Sequence, residues 1–167
     1  MNKVVACLLG SLWLIWVPDC AAGQPEPAVW RGTVTYITDG DTLWIRPLHG
    51  GRARKIRLDG IDAPEICQAY GVRAREQLAA FVRGRQVSVM TRGRDDYRRE
   101  MARVELQGQD VGAWMVVRGL AWSYRFRRDP GPYVGLEALA RKQRRGLFAQ
   151  DRPLQPRDFR RRHGSCH

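Results

Sequence analysis

Histidine and cysteine are scarce in this chain, and neither stands in a metal-binding pattern. The three histidines, His49, His163 and His167, lie in a turn and in the C-terminal tail, with no HxH or HExxH spacing, and there is no CxxC. A zinc centre built from nitrogen and sulfur ligands is therefore not expected. No hydrophobic run reaches the roughly 20 residues that a membrane-spanning helix needs; "VVACLLGSLWLIWVP" (residues 4–18) stops at 15. There is no internal repeat. Acid is short as well, with 17 Asp and Glu against 29 Lys and Arg, a formal net charge of +12. Lysine is almost absent from that excess, which is carried by arginine.

The short apolar run follows a positive start, Met1-Asn2-Lys3, and precedes the small residues of "DCAAGQ", so residues 1–22 read as an export signal. Cleavage is expected after Ala22, with Ala21 or Gly23 as neighbouring choices and an uncleaved anchor as the alternative. Cys20 lacks the small residues a lipoprotein site requires before it. The expected location is secreted or periplasmic, with no stable membrane association after cleavage. Residues 23–29 then form a polar linker, 30–149 a folded domain and 150–167 a basic tail. Removing the leader takes away one charge of each sign and leaves only Cys67 and Cys166. In an oxidising compartment these two can pair, tying the tail beside an acidic loop. Two free thiols or an intermolecular bridge are the alternatives.

An arginine-rich surface suits a polyanionic partner, because the planar guanidinium fork matches phosphate. The competing explanation is the codon bias of a GC-rich genome. Alternation of β-formers predicts strands over 30–38, 41–47, 54–61, 85–92 and 99–107. Helical spacing predicts helices over 71–84, 111–122 and 133–148, the last two ended at Gly119 and Gly146. The tail, with its prolines, reads as irregular. This order fits a β-barrel plus α architecture, a five-stranded OB-fold barrel with about three helices; a sandwich needs more strands and a parallel α/β sheet needs strict alternation.

Against the basic background, Asp39, Asp41, Asp59, Asp62 and Glu65 hold five of the 17 acids in two short patches. If strands 41–47 and 54–61 pair about a turn near residue 50, Asp41 lies opposite about residue 59 and shares one barrel end with Asp62. Glu65 follows three residues later in a rigid "APE" turn. Such crowding needs a counter-charge: a divalent cation with oxygen ligands, Ca²⁺ or Mg²⁺, or a guanidinium such as Arg57 on the same strand. Taken singly, "DGD" and "DAPE" are ordinary turns in which Asp bonds its own backbone, and Asp59 is expected to be unremarkable.

"DGDT" (39–42), "RLDGIDAPE" (57–65) and "DDYRREMARV" (95–104), in that order, resemble the staphylococcal nuclease (thermonuclease) family. "VVRGLAW" (116–122), "EALARKQRRGLF" (137–148) and "RPLQPRDFRR" (152–161) are similar to its exported bacterial members, so the resemblance covers residues 30–161. It implies a calcium-dependent endonuclease, Mg²⁺ being the less favoured ion, acting on DNA and RNA, preferably single-stranded, as a monomer. Position by position it implies metal ligands at Asp41, Asp62 and the Ala63 carbonyl, with Asp39 supporting them. Glu65 falls on the general base, Arg57 and Arg99 on the two phosphate-binding arginines, and Tyr97 and Tyr124 on the nucleotide-binding tyrosines. Trp44 and Trp122 are further stacking candidates wherever they are exposed.

Two positions depart from the pattern. Arg98 stands where the family has a glycine before its arginine, and Ala63 stands where the best-known pattern has threonine; a backbone carbonyl serves equally from either residue. Two other classes compete: a non-catalytic OB-fold module that binds nucleic acid without cutting it, and a basic protein of the membrane surface. The basic surface alone would suffice for binding, whereas Arg57, Glu65 and Arg99 beside metal-binding acids are what hydrolysis requires.

Overall fold

The computed structural model describes residues 29–95, 99–126 and 128–166. The expected export signal and most of the linker, together with Tyr97 and Arg98, lie outside the described residues. The described residues form eight strands: β1 Val29–Ile37, β2 Thr42–Pro47, β3 Arg54–Leu58, β4 Ile61–Asp62, β5 Gln86–Arg94, β6 Glu100–Leu106, β7 Gln109–Asp110 and β8 Trp122–Ser123. Four helices accompany them: α1 Gly71–Val82, α2 Val111–Val117, α3 Val134–Lys142 and α4 Pro156–His163, with a 3₁₀ turn at Gly146–Ala149.

The strands run in the order β3-β2-β1-β5-β6, and β3 pairs with β6 to close a five-stranded barrel, as the sequence led one to expect. All barrel pairings are antiparallel except the closing one. Alternate residues of the strands fill the interior: Val34, Leu43, Ile45, Ile56, Leu58, Val87, Val89 and Val104 are buried, their neighbours half-buried or exposed except Thr42, which is buried as well. This period of two is what side chains pointing alternately to the two faces of a strand produce. The closing edge carries its own lock, since buried Glu100 accepts from Thr91 Oγ1 at 2.6 Å and pairs with Arg54 at 2.5 Å. Helix α1 caps the barrel through Ala74, Leu78 and Val82, at the i, i+4 spacing of a single helical face.

Several boundaries differ from expectation for physical reasons. The third strand breaks at Asp59-Gly60, where Gly60 adopts φ +77°, and restarts as β4 to pair with β8. Helix α2 ends at Val117, two residues before the stop expected at Gly119 (φ +67°), and Trp122, at the end of the same apolar segment, lies in β8. The helix expected over 133–148 stops at Lys142 and gives way to the 3₁₀ turn. The largest correction concerns the tail, which is not irregular. Pro156 occupies the first turn of α4, where its missing N–H costs nothing, Asp158 also sits in that turn, and the last turn is basic throughout, complementing the helix dipole.

The two cysteines are joined. Cys67 and Cys166 form a disulfide with Cα atoms 5.9 Å apart across a separation of 99 residues. On chain-entropy grounds a closure of that length is worth up to ~4.7 kcal/mol.

Helix α3 fixes β8 through a buried acid. Glu137, 1% exposed, accepts the Ser123 amide at 3.0 Å, Arg125 at 2.8 Å and Arg141 at 2.8 Å. Because Ser123 and Trp122 pair with Ile61 and Asp62, this carboxylate sets the height of Asp62 at the barrel rim. Glu137→Ala leaves the buried Ser123 amide without its acceptor, while the partly exposed Arg125 and Arg141 turn to water, and is expected to lower stability by about 1–3 kcal/mol, read from urea denaturation monitored by tryptophan fluorescence.

Candidate active site

At the β2–β3 end of the barrel the two acidic patches meet. Thr42 pairs with Arg57, and the Leu58 amide donates to the Asp41 carbonyl at 2.8 Å, one position from the expected register. The turn before β2 aims Asp41 inward: Asp39 Oδ1 accepts the Asp41 amide at 3.0 Å, and Asp41 Oδ1 accepts Thr42 Oγ1 at 3.0 Å. Asp41 Oδ2 accepts the Ala63 amide at 3.0 Å, which stitches the first patch to the second. Gly40 makes that approach possible, since a Cβ there would come within 2.7 Å of the Ala63 methyl.

Arg57 lies between the acids. Its Nη1 is 3.3 Å from Asp41 Oδ2, its Nη2 is 3.3 Å from Asp62 Oδ1, and Nη1 also donates to the Ile61 carbonyl at 3.1 Å. Asp41 and Asp62 are only 7% and 6% exposed, so the attraction acts where water screens it poorly. Burial pushes the Asp62 carboxyl up, and the charge of Asp41 adds to the rise; Arg160 and Arg57 pull it back without cancelling it. Burial followed by the same Asp41 charge raises Asp39 to about 7, against the hydrogen bond from the Asp41 amide. Burial works against the charge on Arg57, but Asp41 and Asp62 outweigh it and hold the guanidinium more firmly protonated than usual.

Glu65 is set by the turn that follows. Its amide donates to Gln68 Oε1 at 3.2 Å and its carbonyl accepts the Gln68 amide at 2.8 Å. Gly71 opens α1 directly against the Glu65 carbonyl, which any Cβ at that position would overlap.

A residue that the sequence reading did not single out completes the rim. Arg160, on α4, donates from Nη1 to Glu65 Oε1 at 2.7 Å and to Asp62 Oδ1 at 3.2 Å, and from Nη2 to Asp62 Oδ2 at 3.2 Å. Only the two cysteines, one flanking each segment, hinted that the tail reaches this loop.

The other expected residues have partners of their own. Arg99 precedes β6 and is bound to Asp95, Nε to Oδ2 at 2.6 Å and amide to Oδ1 at 2.8 Å. Tyr124 is 43% exposed just beyond β8, its amide donating to the Gly60 carbonyl at 2.8 Å. Trp122 is buried against Phe148 in an edge-on contact and offers no face for stacking, while Trp44 is half-buried and donates to Thr38 at 3.2 Å. Asp59 contributes its amide to the Ala102 carbonyl at 2.9 Å, an ordinary strand-end bond.

Among the described residues no three His, Cys, Asp or Glu side chains form a ready metal cage. The donors to hand are the two carboxylates of Asp41 and Asp62 and neighbouring backbone carbonyls. An all-oxygen set of that kind, buried and short of positive charge, fits a hard divalent cation and not a soft one.

A closed five-stranded barrel whose rim carries crowded carboxylates and guanidinium groups defines a class, the OB-fold proteins of nuclease type. Residues 55–150 match the family described as Staphylococcal nuclease homologue, and the chain belongs to that family. It is 35% identical over 155 residues to an "Uncharacterized endonuclease" of Haemophilus influenzae, covering 92% of this chain and 84% of the relative. "Protein ParB" of Escherichia coli is 39% identical over 150 residues, 83% of each chain. "Micrococcal nuclease" of Shigella flexneri is 35% identical over 148 residues, 82% of this chain and 84% of that one.

Gly71→Ala is expected to leave a folded barrel but to displace the Glu65 turn. Any activity that depends on Glu65 should fall more than about tenfold, in keeping with the sensitivity of catalysis to ångström-scale misplacement. Circular dichroism and a rate assay on the same preparation separate the two effects.

Proposed function

We propose that this chain is an exported, calcium-dependent nuclease that hydrolyses DNA and RNA with little sequence preference. The observation that carries the reading is the meeting of Asp41, Arg57, Asp62 and Glu65 at one barrel rim, in a chain whose relatives include a protein named as an endonuclease and one named as a nuclease. Asp41, Asp62 and the Ala63 carbonyl, with Asp39 in support, would hold calcium, which would supply positive charge beside the scissile phosphate. Arg57 and Arg99 clamp the non-bridging phosphate oxygens and stabilise the charge that builds on them in the transition state. Glu65 takes the proton of the attacking water as its oxygen bonds to phosphorus and the bond to the leaving oxygen breaks. Tyr97 and the exposed Tyr124 hold the nucleotide. The arginine-rich surface binds the polynucleotide backbone through phosphate contacts, with affinity that falls as salt rises.

Asp95 holds Arg99 through its Nε, so a phosphate bound by Arg99 would share the guanidinium with that ion pair. A disulfide suits the oxidising compartment to which an export signal would deliver the chain. No helix among the described residues is long and apolar enough to cross a membrane. The barrel closes within one chain, in keeping with a monomer.

The reading is tested with single-stranded DNA at low salt, in calcium, magnesium or EDTA. Cleavage is expected in calcium and absent in EDTA. Glu65→Gln should cut at least ~100-fold more slowly, the usual loss of a general base, while its affinity for DNA stays within a few-fold. Tight binding with no cleavage under any metal would replace the enzyme by a non-catalytic nucleic-acid-binding barrel.

A further inference from the structure

Hydrolysis at this rim needs a lone pair on Glu65 and accessible oxygens on Asp62, and Arg160 engages Glu65 Oε1 and both Asp62 oxygens. Three of its N–H···O contacts, at 2.7, 3.2 and 3.2 Å, cover both Asp62 oxygens and Glu65 Oε1, while Arg57 takes Asp62 Oδ1 from the other side. A divalent cation at those oxygens would meet the like charge of the guanidinium and find no more than one lone-pair site of Asp62, on Oδ2, not already taken, so the two compete for the same carboxylate. Arg160 supplies one positive charge where the crowded acids call for more.

Two ties hold it there. Gln68, whose Oε1 accepts the Glu65 amide, donates from Nε2 to the Leu154 carbonyl at 2.6 Å. Beyond α4 the chain is stapled by Cys166 to Cys67, two residues after Glu65, and the Cys67 amide points to the Cys166 sulfur at 3.4 Å. The helix itself sits lightly. Pro156 is its one buried residue, and Phe159 and His163 line a cleft of about 230 Å³ shared with Trp122 and Leu147. A segment with so little apolar anchorage stays in place chiefly through its ties.

Resting on the reading of this rim as a metal site, we propose that residues 154–166 form a redox-controlled strap. With the Cys67–Cys166 bridge closed, Arg160 is a tethered internal cation that competes with the divalent metal and engages Glu65. A dithiol reductant opens the exposed bridge: its thiolate displaces one cysteine sulfur, its second thiol resolves the mixed disulfide, and two electrons and two protons end on Cys67 and Cys166 as the reductant becomes a cyclic disulfide. Once the covalent tie is gone the effective concentration of Arg160 at the rim falls, and the metal binds more tightly.

Calcium titration calorimetry on the intact protein tests this, oxidised and after dithiothreitol, alongside Arg160→Gln and the Cys67→Ser/Cys166→Ser pair. The reduced parent and the serine pair are expected to bind calcium about tenfold more tightly than the oxidised parent. Arg160→Gln, which keeps its disulfide, should bind tightly in both states and ignore dithiothreitol, so the test survives if the serine pair folds poorly. If the oxidised parent binds calcium and cuts DNA, and Arg160→Gln binds calcium no more tightly, the strap is overturned and the nuclease stands. Absence of calcium binding and cleavage in every form overturns both.

Discussion

A buried guanidinium between two buried carboxylates governs the rest of this structure. Arg57 cannot be removed without leaving Asp41 and Asp62 facing each other in a poorly screened site, and neither acid can be lost without stranding the arginine. Breaking such an arrangement costs several kcal/mol, whereas forming it adds little net stability because desolvation consumes most of the Coulombic gain. A group of this kind is therefore maintained for what it can bind. Asp39 and Asp62 are both shifted upward, first by burial and then by the charge of Asp41, which for Asp62 Arg57 and Arg160 together do not cancel.

The scaffold around the rim keeps its parts at fixed heights. Strand pairing puts Arg57 beside Thr42, the β4–β8 ladder sets Asp62, and Glu137 fixes that ladder from α3. Gly40 and Gly71 each remove a Cβ at a point of close approach, one beneath Ala63 and the other against the Glu65 carbonyl. The C-terminal segment contributes the remaining positive charge through Arg160 and is tied down by Gln68 and the disulfide. Barrel, helix cap and tail thus converge on one small patch, which becomes a device once its charge deficit can be met in more than one way.

Much of this was legible in the chain. Alternation in "WRGTVTYIT" and "RQVSVMTR" marked barrel strands, because a strand buried on one face leaves that period in the sequence. The meeting of "DGDT" with "DAPE" followed from hairpin register, and family motifs named the residues. Helix ends were harder, since Trp122 and Phe148 carry apolar patterns that suit a short strand or a 3₁₀ turn as well as a helix. The tail was misjudged because its prolines read as breakers, although Pro156 begins a helix. Arg160 had no local signal at all: in a run of arginines, nothing short of the fold distinguishes the one that turns inward. Arg99 is a motif residue whose ion pair with Asp95, four residues earlier, no motif announced.

The central claim is that Asp41 and Asp62 form a cation-binding pair balanced by arginines. The most direct test is a crystal of the reduced protein soaked in calcium and measured for anomalous scattering. The account requires one anomalous peak bonded to both Asp41 and Asp62, with the Arg160 guanidinium withdrawn from Asp62. A rim without a peak at saturating calcium, with Arg160 still seated on Asp62 and Glu65, would contradict it.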